Sequence, residues 1–233
     1  MSTIPPVLKP ITSYIRRAEE LDRDTSRPES VLVAYFCRSY AMELGIPLVQ
    51  ASRDQGATAF LNALIQQLEA AKKGLPAFTQ EEGQTLMTEF AHAVFARADE
   101  EDRAGLADKG TARTFYAAAN FYDALAQFGD LAPEPLQKKK YAKWKAAEIL
   151  KAVKEGRDPA PGGFGEETAK VVTPRSAEAK ESKDSEPAPF KPPNLDRQPT
   201  LEDLIPVAPG AEAGPPLGAP VRVPPPAAAA AAP

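Results

Sequence analysis

Apolar residues recur along the first 157 residues at spacings that read as helix throughout. The first stretch, "VLKPITSYIRRAEELDRD", ends in a charged turn, with Pro10 near its start. Pro28 fits the first turn of a second helix, where a missing N–H is harmless. That helix, "ESVLVAYFCRSYAMELG", is expected to stop at Gly45. Between Val31 and Met42 only Arg38 and Ser39 are plainly polar. A helix apolar nearly all round must be covered on most sides, which makes it the middle helix of a bundle. The third helix runs from about Asp54 to Lys73, with Ala57, Leu61, Leu64, Leu68 and Ala71 in one stripe. Gly74 and Pro76 end it.

Thr79 and Glu82 then have the T-x-x-E spacing of a capping box and open a fourth helix. Leu86, Phe90, Ala93 and Val94 give it an apolar face. The fifth helix, "TARTFYAAANFYDALAQFG", offers Phe115, Ala118, Tyr122 and Leu125, and Gly129 suits its C-cap. Pro133 and Pro135 precede the sixth, "LQKKKYAKWKAAEILKAVKEG", which Gly156 stops. Short connections between successive helices favour antiparallel packing. The expected fold is all-α: two tandem three-helix bundles, residues 5–76 and 79–157, followed by a disordered Pro/Ala-rich tail over residues 158–233.

Composition supports that division. Of the 25 prolines, 17 follow residue 157, where Ala, Glu and Ser also accumulate. Such a segment lacks the apolar content to offset the entropy of ordering. One island in it, "PTLEDLIP" (199–206), reads either as a short linear motif or as chance in a biased tail. Up to Arg157 there are 21 basic and 21 acidic residues, and the tail carries 7 and 11, which accounts for the net −4. A neutral body argues against general nucleic-acid binding, which needs an excess of Lys and Arg. The single cysteine, Cys37, allows no internal disulfide and suits a reducing cytosol. The amino terminus has no apolar core of signal-peptide length, and no stretch is expected to reach the roughly 18 apolar residues of a membrane span.

Catalytic chemistry finds little support. "EFAH" sets Glu89 and His92 at the E-x-x-H spacing of di-iron bundles, but such a site repeats the motif and this chain has one histidine. Zinc fails for want of ligands. Cys37 lies on the nearly all-apolar helix, where a thiol is more often inert core than nucleophile. "PGGFGEE" has no strand before it and reads as linker, not as a phosphate loop. In "ADEEDRAG" (98–105) consecutive carboxylates point about 100° apart round a helix, so at most two converge. The chain is expected to be no enzyme and to carry no cofactor or metal.

Surface chemistry is more informative. On the sixth helix Ala142, Ala146, Ile149, Leu150 and Val153 share one face, and Trp144 falls nearly opposite, near Lys140, Tyr141 and Lys151. Two readings stay open: cover by a neighbouring helix or the tail, or a partner site in which Trp and Tyr flanked by lysines hold an acidic amphipathic segment. On the third helix Ile65 lies off the core stripe, one turn before Glu69 and near Lys72. It is either an edge-of-core residue or part of a grip on a Leu- and Arg-bearing helix.

The blocks "SVLVAYFCRSYAMELG", "FLNALIQQLEAAKK", "FARADEEDRAG", "RTFYAAANFYDALAQFGDL" and "KKYAKWKAAEILKAVKEG", in that order over residues 5–157, resemble the amino-terminal region of the Vta/LIP family. That family comprises vacuolar protein sorting-associated cofactors of the AAA ATPase that disassembles ESCRT-III polymers. The resemblance implies two tandem MIT (microtubule-interacting and transport) modules that bind carboxy-terminal tails of ESCRT-III subunits in multivesicular-body sorting. The first module would use Ile65, Leu68, Glu69 and Lys72; the candidates on the second are Tyr141, Trp144, Lys145 and Lys151. It also implies a cytoplasmic protein, peripheral on endosomes through ESCRT-III. "ADEEDRAG" resembles the family's signature at the end of the fourth helix, an interhelical polar motif. The family's usual carboxy-terminal module, which dimerises and binds the ATPase, is not evident after Gly156, so tail binding is expected, while dimerisation and direct contact to the ESCRT AAA ATPase stay open. The alternative is a general helical scaffold outside the ESCRT pathway, although no repeat of the 34-residue kind is visible.

Overall fold

A computed structural model describes residues 3–24 and 26–165, and among these it holds six α-helices and no strand. They are α1 (Thr12–Leu21), α2 (Ser30–Ser52), α3 (Gln55–Gly74), α4 (Gln80–Arg103), α5 (Lys109–Ala124) and α6 (Pro133–Lys154). A 3-10 turn, Pro6–Ile11, leads into α1, and another, Leu125–Phe128, closes α5. The all-α expectation holds. The tail from residue 166 onward, "PTLEDLIP" included, lies outside the described residues.

Caps set where the helices begin. The Thr79 Oγ1 accepts from the Glu82 N–H at 3.2 Å, and the Thr79 N–H donates to the Glu82 carboxylate at 2.7 Å, so the capping box forms. Asp54 accepts from the Ala57 N–H at 2.6 Å at the head of α3. Asp108 and Thr111 build a second reciprocal box, of D-x-x-T spacing, at the head of α5. Pro28 does not enter α2. It sits in a turn just before Ser30, where Asp24 accepts hydrogen bonds from Ser26 and Ser30 and fixes the approach.

α2 does not stop at Gly45 but runs on to Ser52. The glycine is there for packing: a Cβ at position 45 would lie 2.9 Å from the Leu61 Cδ2 and 3.5 Å from the Ile11 Cδ1. Its absence lets α3 and the first 3-10 turn close on α2. Pro47, inside the helix, faces solvent, where water can satisfy the carbonyl its missing N–H leaves open. Arg53, at φ 53°, then ends the helix in a left-handed conformation.

Two apolar cores result. The smaller gathers Leu8, Ile11, Tyr14 and Ile15 with Ala41, Ala57, Leu61 and Leu64. The larger unites α4, α5 and α6 with Ala18 and Leu21 of α1 and with Leu32, Val33, Phe36 and Cys37 of α2. Thus α1 and α2 serve both cores. Gly83 makes the junction close, since a Cβ there would meet the Phe36 ring at 2.7 Å. α5 consequently buries nearly every position from Thr111 to Ala124, Ala117 and Phe121 included, because α1 and α2 cover the side that its sequence stripe left open. Phe90 and Phe121 meet edge to face, 5.1 Å between centroids. α2 is long and apolar enough by composition to cross a bilayer, contrary to the sequence expectation. Here its apolar sides lie against α1, α3 and α5.

Candidate functional site

α3 packs chiefly on α2, and most of its circumference is exposed. Ala57, Leu61 and Leu64 are buried, and Leu68 is half-buried at the edge of the same stripe. Ile65 is 37% exposed, and Glu69 and Lys72 are exposed. At 100° per residue these last three share a strip about 60° wide. Neither Glu69 nor Lys72 has an ion pair among the described residues, so the charges are available to a partner. Ile46 on α2 is a further exposed apolar side chain, at 42%.

The four candidates on α6 do not form a surface together. Lys151 is exposed and Trp144 is half-buried, but Tyr141 and Lys145 are only 2% and 5% exposed. Tyr141 packs among Phe95, Phe115 and Trp144. Lys145 reaches Asp102 in the last turn of α4, at 2.8 Å from its Oδ2, and its Nζ lies 5.9 Å from the centre of the Trp144 ring. Helical phase puts Tyr141 on the side opposite the apolar stripe of α6, and the family resemblance adds Lys145 to it; both turn inward instead. The reason for the difference is a second covering element, residues 159–164, which were read as linker. Nearby lysines are also engaged: Lys139 and Lys143 both pair with Asp123, and Lys138 pairs with Glu134.

"ADEEDRAG" resolves into inward and outward members. Asp99 and Asp102 are buried, whereas Glu100 and Arg103 are exposed. Arg103 pairs with Asp99 at 2.8 Å, and Arg97 with Glu101 at 3.3 Å. Glu101 also accepts from the Thr111 hydroxyl at 2.8 Å, which ties α4 to α5. Burial pushes the Asp102 carboxyl above the usual carboxylate range, and Lys145 and the Gly162 N–H oppose it. The motif is interhelical and polar. Its acids meet a cation from α6 and the backbone of the segment after α6, contacts between distant parts of the chain that no local pattern announces.

The Cys37 thiol is fully buried and pushed up to about 12 by that burial, the state of an inert core cysteine. Among the described residues no three His, Cys, Asp or Glu side chains gather as metal ligands would.

The sequence matches the family described as Vta1 like over residues 10–155. It is 47% identical over 164 residues to an Arabidopsis thaliana protein named as a homolog of mammalian LYST-interacting protein 5, covering 70% of this chain and 37% of that one. A Bos taurus vacuolar protein sorting-associated protein VTA1 homolog is 38% identical over 172 residues, covering 72% and 54%. The Mus musculus homolog of that name is 34% identical over 231 residues, covering 95% and 71%. The chain thus spans about a third to a half of the length of the first two relatives.

Proposed function

The chain belongs to the Vta1-like family, and we propose that it is a non-enzymatic adaptor in vacuolar protein sorting that binds carboxy-terminal tails of ESCRT-III subunits. Its two modules, residues 5–76 and 79–157, hold one tail each, with modest affinity per site and a gain from effective concentration when both are engaged. Through those tails it associates peripherally with endosomes and acts as a regulatory cofactor of the ESCRT AAA ATPase in multivesicular-body sorting. The relatives' names supply the sorting role, and the exposed strip of α3 supports the tail chemistry.

One observation carries the reading for the first module: Ile65, Glu69 and Lys72 lie in one exposed strip beside the half-buried Leu68. An amphipathic helix laid along α2 and α3 would bury Ile65 and Leu68 and meet both charges, the helix-in-groove mode of recognition. On the second module the accessible parts of the candidate set are Trp144 and Lys151, with Tyr141 behind Trp144.

The test is a fluorescence-polarisation titration of this chain against a panel of ESCRT-III tail peptides. Ile65→Asp is expected to abolish binding of one class of tail while far-UV helicity stays unchanged. Trp144→Ala is expected to weaken a different class. Absence of saturable binding by every tail would overturn the adaptor reading.

A further inference from the structure

After α6 the chain turns at Gly156, at φ 72°, and residues 159–164 run back into the cleft between the end of α4 and α6. This segment has no helix or strand of its own, yet both helices hold it by its main chain. The Lys145 ammonium donates to the Ala160 carbonyl at 2.9 Å, and the Tyr141 hydroxyl to the Gly162 carbonyl at 3.2 Å. At the end of α4, Arg103 donates to the Phe164 carbonyl, and Asp99 accepts from the Phe164 N–H, each at 2.8 Å. The Phe164 ring stands edge-on to Phe95 and Tyr141, at 5.6 and 5.4 Å. Glycine before it lets the main chain lie directly against the Arg103 guanidinium, which a Cβ at 163 would push away from Asp99 and the Phe164 carbonyl.

This is the anatomy of peptide recognition: main-chain hydrogen bonds for affinity, a close approach of backbone to Arg103 that favours glycine, and a slot that wants an aromatic ring. The recognition groups belong to α4 and α6, which also pack on α5 in the larger core. We propose that the cleft between the end of α4 and α6 is a peptide-binding site, filled here by the chain's own residues 159–164, that accepts an extended Gly-Gly-aromatic peptide from another chain when its own segment is displaced. Attached to α6 by a few residues, the resident segment competes at the millimolar effective concentration typical of short tethers. The unmodified chain is therefore closed, and opening it uncovers Tyr141 and Lys145. The proposal stands independently of ESCRT-III binding.

The probe is a synthetic peptide of residues 157–165, RDPAPGGFG, titrated into the full chain and read by fluorescence of Trp144, the chain's one tryptophan, whose ring centre is 5.6 Å from that of Tyr141. Phe164→Ala empties the aromatic slot, and Gly163→Val dislodges the segment through a different atom; both lie outside the helices. Each variant is expected to bind the peptide saturably, and the unmodified chain at least about tenfold more weakly, since its resident segment must first leave. A peptide with alanine in place of its phenylalanine is expected to give no response. The proposal is overturned if both variants keep their helicity and show no saturable change, or if the unmodified chain binds as tightly as they do.

Discussion

The Lys145 ammonium lies 2.8 Å from the Asp102 carboxylate, with both side chains almost wholly out of solvent, and the pair joins the middle of α6 to the last turn of α4. Such a pair is costly to bury, but far more costly to break from one side. Removing a single partner leaves an uncompensated buried charge, at about 3–5 kcal/mol. Lys145→Met is therefore expected to lower the urea unfolding free energy by about 3 kcal/mol or more. Adding Asp102→Leu to the same chain is expected to recover much of the loss, because no lone charge remains. A change of under about 0.5 kcal/mol in the single variant would show that water reaches the site.

His92 supplies a pH prediction. Burial, with Lys138 nearby, holds its pKa below the ordinary histidine value, and its Nε2 is buried without a hydrogen-bond partner among the described residues. The unfolded chain regains the ordinary value of about 6.5 and so binds the proton more readily than the folded one. The stability contribution is fully present above that value and is lost as pH falls through it toward the lower folded pKa. Urea midpoints taken between pH 7.5 and 5.5 should fall with acid, and in His92→Phe that slope should flatten, because the chain has no other histidine. An unchanged slope would place the responsible group elsewhere.

Gly45 is expected to resist enlargement. Gly45→Val drives its side chain into Leu61 and Ile11, where the smaller core has no slack. Overpacking of this kind costs about 1–3 kcal/mol, readable as a lower thermal midpoint by circular dichroism.

Ile65 and its neighbour Leu64 should respond in opposite ways. Ile65→Asp acts on an exposed position and is expected to shift stability by less than about 0.5 kcal/mol. Leu64→Asp places a charge in the smaller core, where Leu64 is 4% exposed, and should unfold that region or drive the carboxyl neutral. Equal damage from both would mean that α3 is rotated from the orientation described, and would remove the exposed strip on which the adaptor reading rests.

Legibility in the sequence followed the range of the interaction. The apolar stripe of α3 and the Thr79–Glu82 box were readable because each is decided within a few residues, by helical spacing or a local hydrogen bond. Gly45 was misread because its role depends on Leu61 and Ile11, which approach from other elements. The exposed strip on α3 was legible for the same reason as its stripe: the helix is covered on one side only, so periodicity alone says which side is wet. α6 has covering elements on two sides, and periodicity identified only one of them.

By itself, then, the amino-acid sequence determined the helical character of the first 157 residues, most helix boundaries and the outward side of α3. Backbone propensity, capping and single-stripe amphipathicity are local properties. Tertiary structure decided that α1 and α2 serve both cores and that Tyr141 and Lys145 turn inward. It also decided that "ADEEDRAG" and "PGGF" belong to one cleft. Those outcomes depend on side chains meeting backbone 61 and 65 residues away, as Arg103 and Asp99 meet Phe164. No local pattern encodes which distant segment will cover a face; that is settled only when the whole chain has packed.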